Sequence, residues 1–225
     1  KRSVGSPLFS QGSTERVAMA QALRKLTKQR DIIARKLLFA RFEEMATWSG
    51  ITSRNHTDVL NVFKEALVAG NNEVRKRFEN EHVKASDTVH AQAFLVDQLI
   101  RVLYDVVVTY VYPVANPTMG EQIAIVATGG YGRSELAPFS DIDLMFLLNY
   151  KRTPRTEQVI EYMLYMLWDL GLKVGHATRS LDEAVKLSKE DLTIRTSLLE
   201  ARFLWGRNRW RWSLVYEVTG QIRRS

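Results

Sequence analysis

The chain has 225 residues, no cysteine and a net charge of +7, with 45% of residues hydrophobic and 25% charged. That length buries a real core and favours one domain with a helical extension, while the missing thiols exclude disulfides and thiolate metal sites. No run of about 18 apolar residues occurs to span a membrane as a helix, and no apolar segment follows Lys1-Arg2 as a signal peptide requires.

Residues 1–13 (KRSVGSPLFSQGS) read as a flexible arm. Residues 14–114 form a helical N-terminal region: Val17, Leu23, Leu26, Ile33, Leu37, Leu38 and Phe42 recur at helical spacing over 14–48. A turn at Gly50 precedes a second helix over 58–78, with a break expected at Gly70-Asn71-Asn72, and a third over 85–112 that stops at Pro113. Residues 115–206 change pattern. The apolar QIAIVA over 122–127 reads as a buried strand, 131–136 as one or two helical turns, and 142–148 as a second strand. Thr153-Pro154 supplies a cap and a first-turn proline for a helix ending at Gly171. A third strand over 173–178 leads to the capping box Ser180-Leu181-Asp182-Glu183. Helical character is expected over 190–205 and again over 209–222, so that 207–225 begins a further helical segment. The fold class expected is α+β, a helical region followed by a small mixed sheet with flanking helices. The chain starts without Met, and the numbering is expected to begin inside a longer protein.

The residues that carry chemistry lie within 127–148, ATGGYGRSELAPFSDIDLMFLL. Gly129 and Gly130 follow one strand and precede a short helix, a turn that can present backbone N–H groups to phosphate; taken alone, the pair reads more simply as a plain tight turn. A Walker loop is excluded because Arg133-Ser134 follow Gly132, and the third glycine of a dinucleotide fingerprint falls on Glu135. Asp141 and Asp143 share one face of an extended strand. Asp-x-Asp also suits a solvated strand entrance, but this strand continues as LMFLL, and a like-charged pair at the mouth of a buried strand is costly without a cation. Paired carboxylates of this kind suit Mg²⁺. The basic residues, such as Arg24, Lys25 and Lys28, are spread along helix faces with no aromatic stacking motif, so nucleic acid is not an expected partner.

Gly-Gly, ten residues, then Asp-Ile-Asp-Leu resembles the signature of the DNA-polymerase-β-type nucleotidyltransferase superfamily. The fuller string GGYGRSELAPFSDIDLMFLL resembles the bacterial PII uridylyltransferase family, and the similarity extends through FLVDQLIRVLYD, LYMLWDLGLKVGHATRS and DLTIRTSLLEARFLWG, over residues 90–206. The resemblance implies transfer of UMP from UTP to a tyrosine of the PII signal protein, with Mg²⁺ as cofactor, pyrophosphate as product and a cytoplasmic location. It implies that Asp141 and Asp143 bind metal, that Gly129 and Gly130 hold the triphosphate, and that Ser140 lies close enough to assist. Arg133 is either a phosphate contact or a partner of Glu135.

Members of the superfamily usually supply a third carboxylate from a later strand, but KVGHATR over 173–179 has none. Asp182 and Glu183 suit a helix cap better, and His176 is more simply structural than a base. The resemblance also implies a metal-dependent hydrolase domain and two glutamine-sensing domains elsewhere, so the chain is expected to be an N-terminal fragment. Adenylyl transfer to glutamine synthetase is a sister alternative that GGYGR and GLKVGHATRS disfavour. A nucleotide-binding module without turnover is the alternative from another class. Tyr162, Met163, Tyr165, Met166 and Trp168 are expected in the core, and His56, His82 and His90 on the surface.

Overall fold

Helices carry the first half of the chain because its apolar residues recur at helical spacing and meet one another. A computed structural model describes residues 29–48, 50–52, 55–80, 83–150, 152–206 and 220; the expectations for 1–28, 207–219 and 221–225, and for His82, lie outside the described residues. Helix α1 (Arg35–Trp48) packs Phe42 against Phe63 of α2 (His56–Asn80), ring centroids 4.8 Å apart. Helix α3 (Ala85–Val106) is the buried centre, with Leu95, Val96, Leu99, Ile100, Val102 and Leu103 at 1% exposure or less. A π-helical turn, Val107–Val111, extends it.

The break expected at Gly70 is absent, and α2 runs through it unbroken. Gly70 is instead the place where Leu95 of α3 presses on α2, and a Cβ there would overlap the Leu95 methyl groups. The glycine serves close approach rather than a turn.

Among the described residues, four strands form one mixed sheet in the order β3-β2-β1-β4. Strand β1 (Ile123–Ala127) pairs antiparallel with β2 (Ile142–Leu148) and with β4 (Arg202–Gly206), and β2 pairs parallel with β3 (Val174–Ser180). Helical character expected over 190–205 is found over Leu192–Leu199, and strand β4 corrects it from Arg202 onward. Local pattern cannot tell a five-residue RFLWG strand from a helical turn, whereas the edge of β1 supplies the pairing partner that decides it. The chain is mostly helical with a small mixed sheet, which is α+β, as expected.

Alternation along the strands gives the sheet two covered faces. Ile123, Ile125, Leu144 and Phe146 join the large core with α3 and with Val159, Met163 and Leu167 of α4 (Pro154–Asp169). Val126, Met145 and Leu147 form a smaller cluster with Ala184 of α5 (Leu181–Glu190) and Leu198 of α6 (Leu192–Leu199). Tyr162, Met163 and Met166 are buried, but Tyr165 and Trp168 are 52% and 43% exposed, on the outer side of α4. Among the described residues no helix is long and apolar enough to cross a membrane.

Candidate active site

Strand β1 runs into the glycine turn, a single helical turn over Gly129–Gly132. The Thr128 amide donates to the Asp143 carbonyl at 3.0 Å, so the turn begins tied to the strand that bears the aspartates. Gly129 has φ +60°, a conformation that side chains other than glycine's rarely adopt.

Asp143 sits between two glycines. A Cβ on Gly129 would lie 3.0 Å from its Oδ2, and one on Gly175 of β3, its register partner, 2.8 Å from its Oδ1. The absence of side chains at both positions leaves the carboxylate open on both flanks. Asp141 and Asp143 are both solvent-exposed, and the Asp143 carboxyl is pushed above the ordinary range by partial burial and then by the negative charge of Asp141. A cation beside them would relieve both causes. Mg²⁺ is commonly bound through one or two carboxylates plus substrate phosphates, so the donor set fits it. No third His, Asp or Glu completes a metal cluster among the described residues.

The other expected site residues divide. Arg133 donates from Nε to Glu135 at 2.9 Å and pairs through Nη1 with Glu200, also at 2.9 Å; the ion pair with Glu135 is therefore formed. Its Nη2 leans toward the turn, 3.6 Å from where a Gly130 Cβ would be. Ser140 does not join the cavity beside Asp143; it lines a groove between α2, α3 and the 136–140 loop. His176 pairs in register with Leu144, one residue out of phase with Asp143, and packs edge-on to Trp168 with ring centroids 6.0 Å apart. Ser180 and Glu183 form the expected capping box. His56 and His90 are engaged: His56 Nε2 lies 2.8 Å from Asp169, and His90 Nδ1 donates to the Ser134 carbonyl at 2.8 Å.

The support beneath the turn comes from residues outside the expected site. Tyr131 is fully buried and donates its hydroxyl to Asp97 of α3 at 2.7 Å. Arg202 of β4 binds Asp97 through Nη1 and Nη2, and also donates to the carbonyls of Tyr131 and Gly132, each at 3.1 Å. The Glu200 carbonyl lies against Gly132, where a Cβ would overlap it. The glycine turn is thus fixed from below by α3 and β4. Two signals were available: Asp97 interrupts the apolar run FLVDQLI, and Gly175 sits inside a strand, where glycine marks close approach.

No family model matches the chain. Curated relatives do. The bifunctional uridylyltransferase/uridylyl-removing enzyme of Azospirillum brasilense is 51% identical over 181 residues, 80% of this chain and 19% of that protein. The enzymes of the same name from Rhodospirillum rubrum and Erythrobacter litoralis are 49% and 50% identical over 182 residues, 81% of this chain. The chain spans about a fifth of the length of the curated relatives it matches. With half its residues shared over four fifths of its length, the chain is homologous to a segment of the bifunctional uridylyltransferase/uridylyl-removing enzymes, as the resemblance implied.

Proposed function

We propose that the chain is the nucleotidyl-transfer segment of a protein-PII uridylyltransferase, moving UMP from UTP to a tyrosine of the PII signal protein. The observation that carries this reading is the Asp143 carboxylate held open between Gly129 and Gly175 beside the glycine turn. Asp141 and Asp143 would hold Mg²⁺, which supplies charge neutralisation for the triphosphate and for the departing pyrophosphate. Gly129 and Gly130 leave room for phosphate to approach the backbone. Arg133, steadied by Glu135 and Glu200, keeps Nη2 as a donor on the same side. The acceptor hydroxyl oxygen bonds to the α-phosphorus as the bond to pyrophosphate breaks, and the hydroxyl proton is released. Tyr131, Asp97 and Arg202 keep the turn in place throughout.

The test uses the protein at its full natural length with labelled UTP, Mg²⁺ and PII. Wild type is expected to label PII, and Asp141→Asn with Asp143→Asn to lose at least a hundredfold in rate, the scale of losing a transition-state electrostatic contact. Undiminished labelling by the double variant, or labelling from ATP in preference to UTP, would overturn the reading.

A further inference from the structure

The face of the sheet that carries Asp143 opens into a cavity of about 380 Å³ between β2, β3 and the α5–α6 pair. Its size is that of a small-molecule site. Apolar surface comes from Met145, Leu187 and Ile194, and polar groups from Thr128, Arg179, Thr193 and Ser197. Thr128 precedes the glycine turn without capping it by its side chain. Thr196 turns its hydroxyl back to the Leu192 carbonyl at 2.9 Å, whereas the hydroxyls of Thr193 and Ser197 take no hydrogen bond among the described residues. Hydroxyls that line a cavity without internal partners are available to a ligand as donors and acceptors.

The arrangement has a direction. Gly175 is the register partner of Asp143, and Arg179 lies four residues farther along β3, roughly 13 Å away at the strand rise. Both belong to the strand face that alternates with His176 and Thr178. Arg179 donates one Nη1 bond to the Thr178 carbonyl at 3.2 Å, and Glu183 lies near enough to feel its charge. Its other nitrogens can only donate.

Resting on the nucleotidyl-transfer reading, we propose that this cavity receives the nucleoside of the triphosphate. Its α-phosphate lies at the Asp143 end, and Arg179 donates to a carbonyl on the base edge. Thr193 and Ser197 bind the remaining polar groups of base and ribose. The chemistry favours uracil over cytosine: Arg179 meets an acceptor at the uracil 4-position but a second donor at the cytosine amino group.

Three full-length variants test this, Arg179→Leu, Thr193→Val and Ser197→Ala, with folding checked by circular dichroism. Affinities for UTP and CTP are measured by calorimetry with Mg²⁺, alongside KM and kcat for labelling of PII. Arg179→Leu is expected to lower the UTP/CTP affinity ratio about tenfold, the scale at which an unpaired polar group discriminates. Each hydroxyl deletion should weaken UTP about fivefold and raise KM with little change in kcat. Unchanged UTP affinity and UTP/CTP ratio in all three folded variants overturns the cavity assignment while wild-type labelling leaves the transfer reading standing. Variant-sensitive UTP binding without any labelling of PII does the reverse. A wild type that binds no nucleotide overturns both.

Discussion

Arg202 grips Asp97 across 105 residues of sequence, with Nη1 at 2.6 Å from Oδ2 and Nη2 at 3.1 Å from Oδ1. A two-point contact of this kind fixes orientation as well as distance. It joins strand β4 to the central helix, with the glycine turn hydrogen-bonded to the same guanidinium.

Breaking that pair should be costly. Asp97 is 6% exposed, and Asp97→Asn leaves Arg202 facing a neutral amide and the Tyr131 hydroxyl without its charged acceptor. A loss of about 3 kcal/mol in urea unfolding is expected, at the lower end of the range for a broken buried pair because Arg202 retains some exposure. Combining Asp97→Asn with Arg202→Met should cost less than the sum of the two single changes.

Tyr131→Phe isolates one arm of the network. Burial, then the negative charge of Asp97, pushes the Tyr131 hydroxyl well above its ordinary value, so it remains a protonated donor at every physiological pH. Its removal should cost about 2 kcal/mol, the scale of a hydrogen bond to a charged group. Thermal melts measure that loss; a rise in KM for the nucleotide would show that the turn above has loosened.

Gly175→Ala tests the open flank of Asp143. The new Cβ would lie 2.8 Å from Oδ1, and the carboxylate must swing aside to admit it. Labelling of PII should fall about a hundredfold, the scale of a misplacement of about 1 Å at a reacting centre. The melting temperature should change little, because β3 is an edge strand. Full activity in the alanine variant would show that the flank need not be open.

The carboxyl of Asp143 predicts a pH effect with a definite sign. Its folded pKa is raised, so the folded chain binds that proton more tightly than the unfolded chain does. The associated stability is complete below the unfolded value and is lost as pH rises through the folded one. Asp143→Asn should therefore raise the melting temperature at neutral pH, and the gain should vanish below the ordinary aspartate range. Added Mg²⁺ should raise the wild-type melting temperature at neutral pH and leave the variant's unmoved.

The parts of the fold legible in the sequence were those with local chemistry. Thr153-Pro154 and the Ser180–Glu183 box cap the helices they were expected to open, and the β-branched run in β1 is a buried strand. The turn at Gly129 and Gly130 and the strand that carries Asp143 were legible by spacing, since glycines after an apolar run mark a turn and the apolar run that follows marks a strand. Strand β4 was hidden because its identity comes from β1, some 80 residues upstream. Gly70 misled because a helix-breaking residue also permits two helices to touch. Asp97, Tyr131 and Arg202 act only together, and nothing local in any of the three segments names the other two.

The place of β4 in the chain has a consequence for synthesis. While the ribosome is still making the segment before residue 202, β1, β2 and both aspartates already exist, but one edge of β1 lacks its partner and Asp97 has only the longer ion pair with Arg101, 3.8 Å away on its own helix. Non-local pairing of this sort forms late, because the intervening chain must first be closed into a loop. The glycine turn therefore acquires its Arg202 anchor only when β4 has docked, which makes the arrival of that strand the step that completes the support beneath the turn.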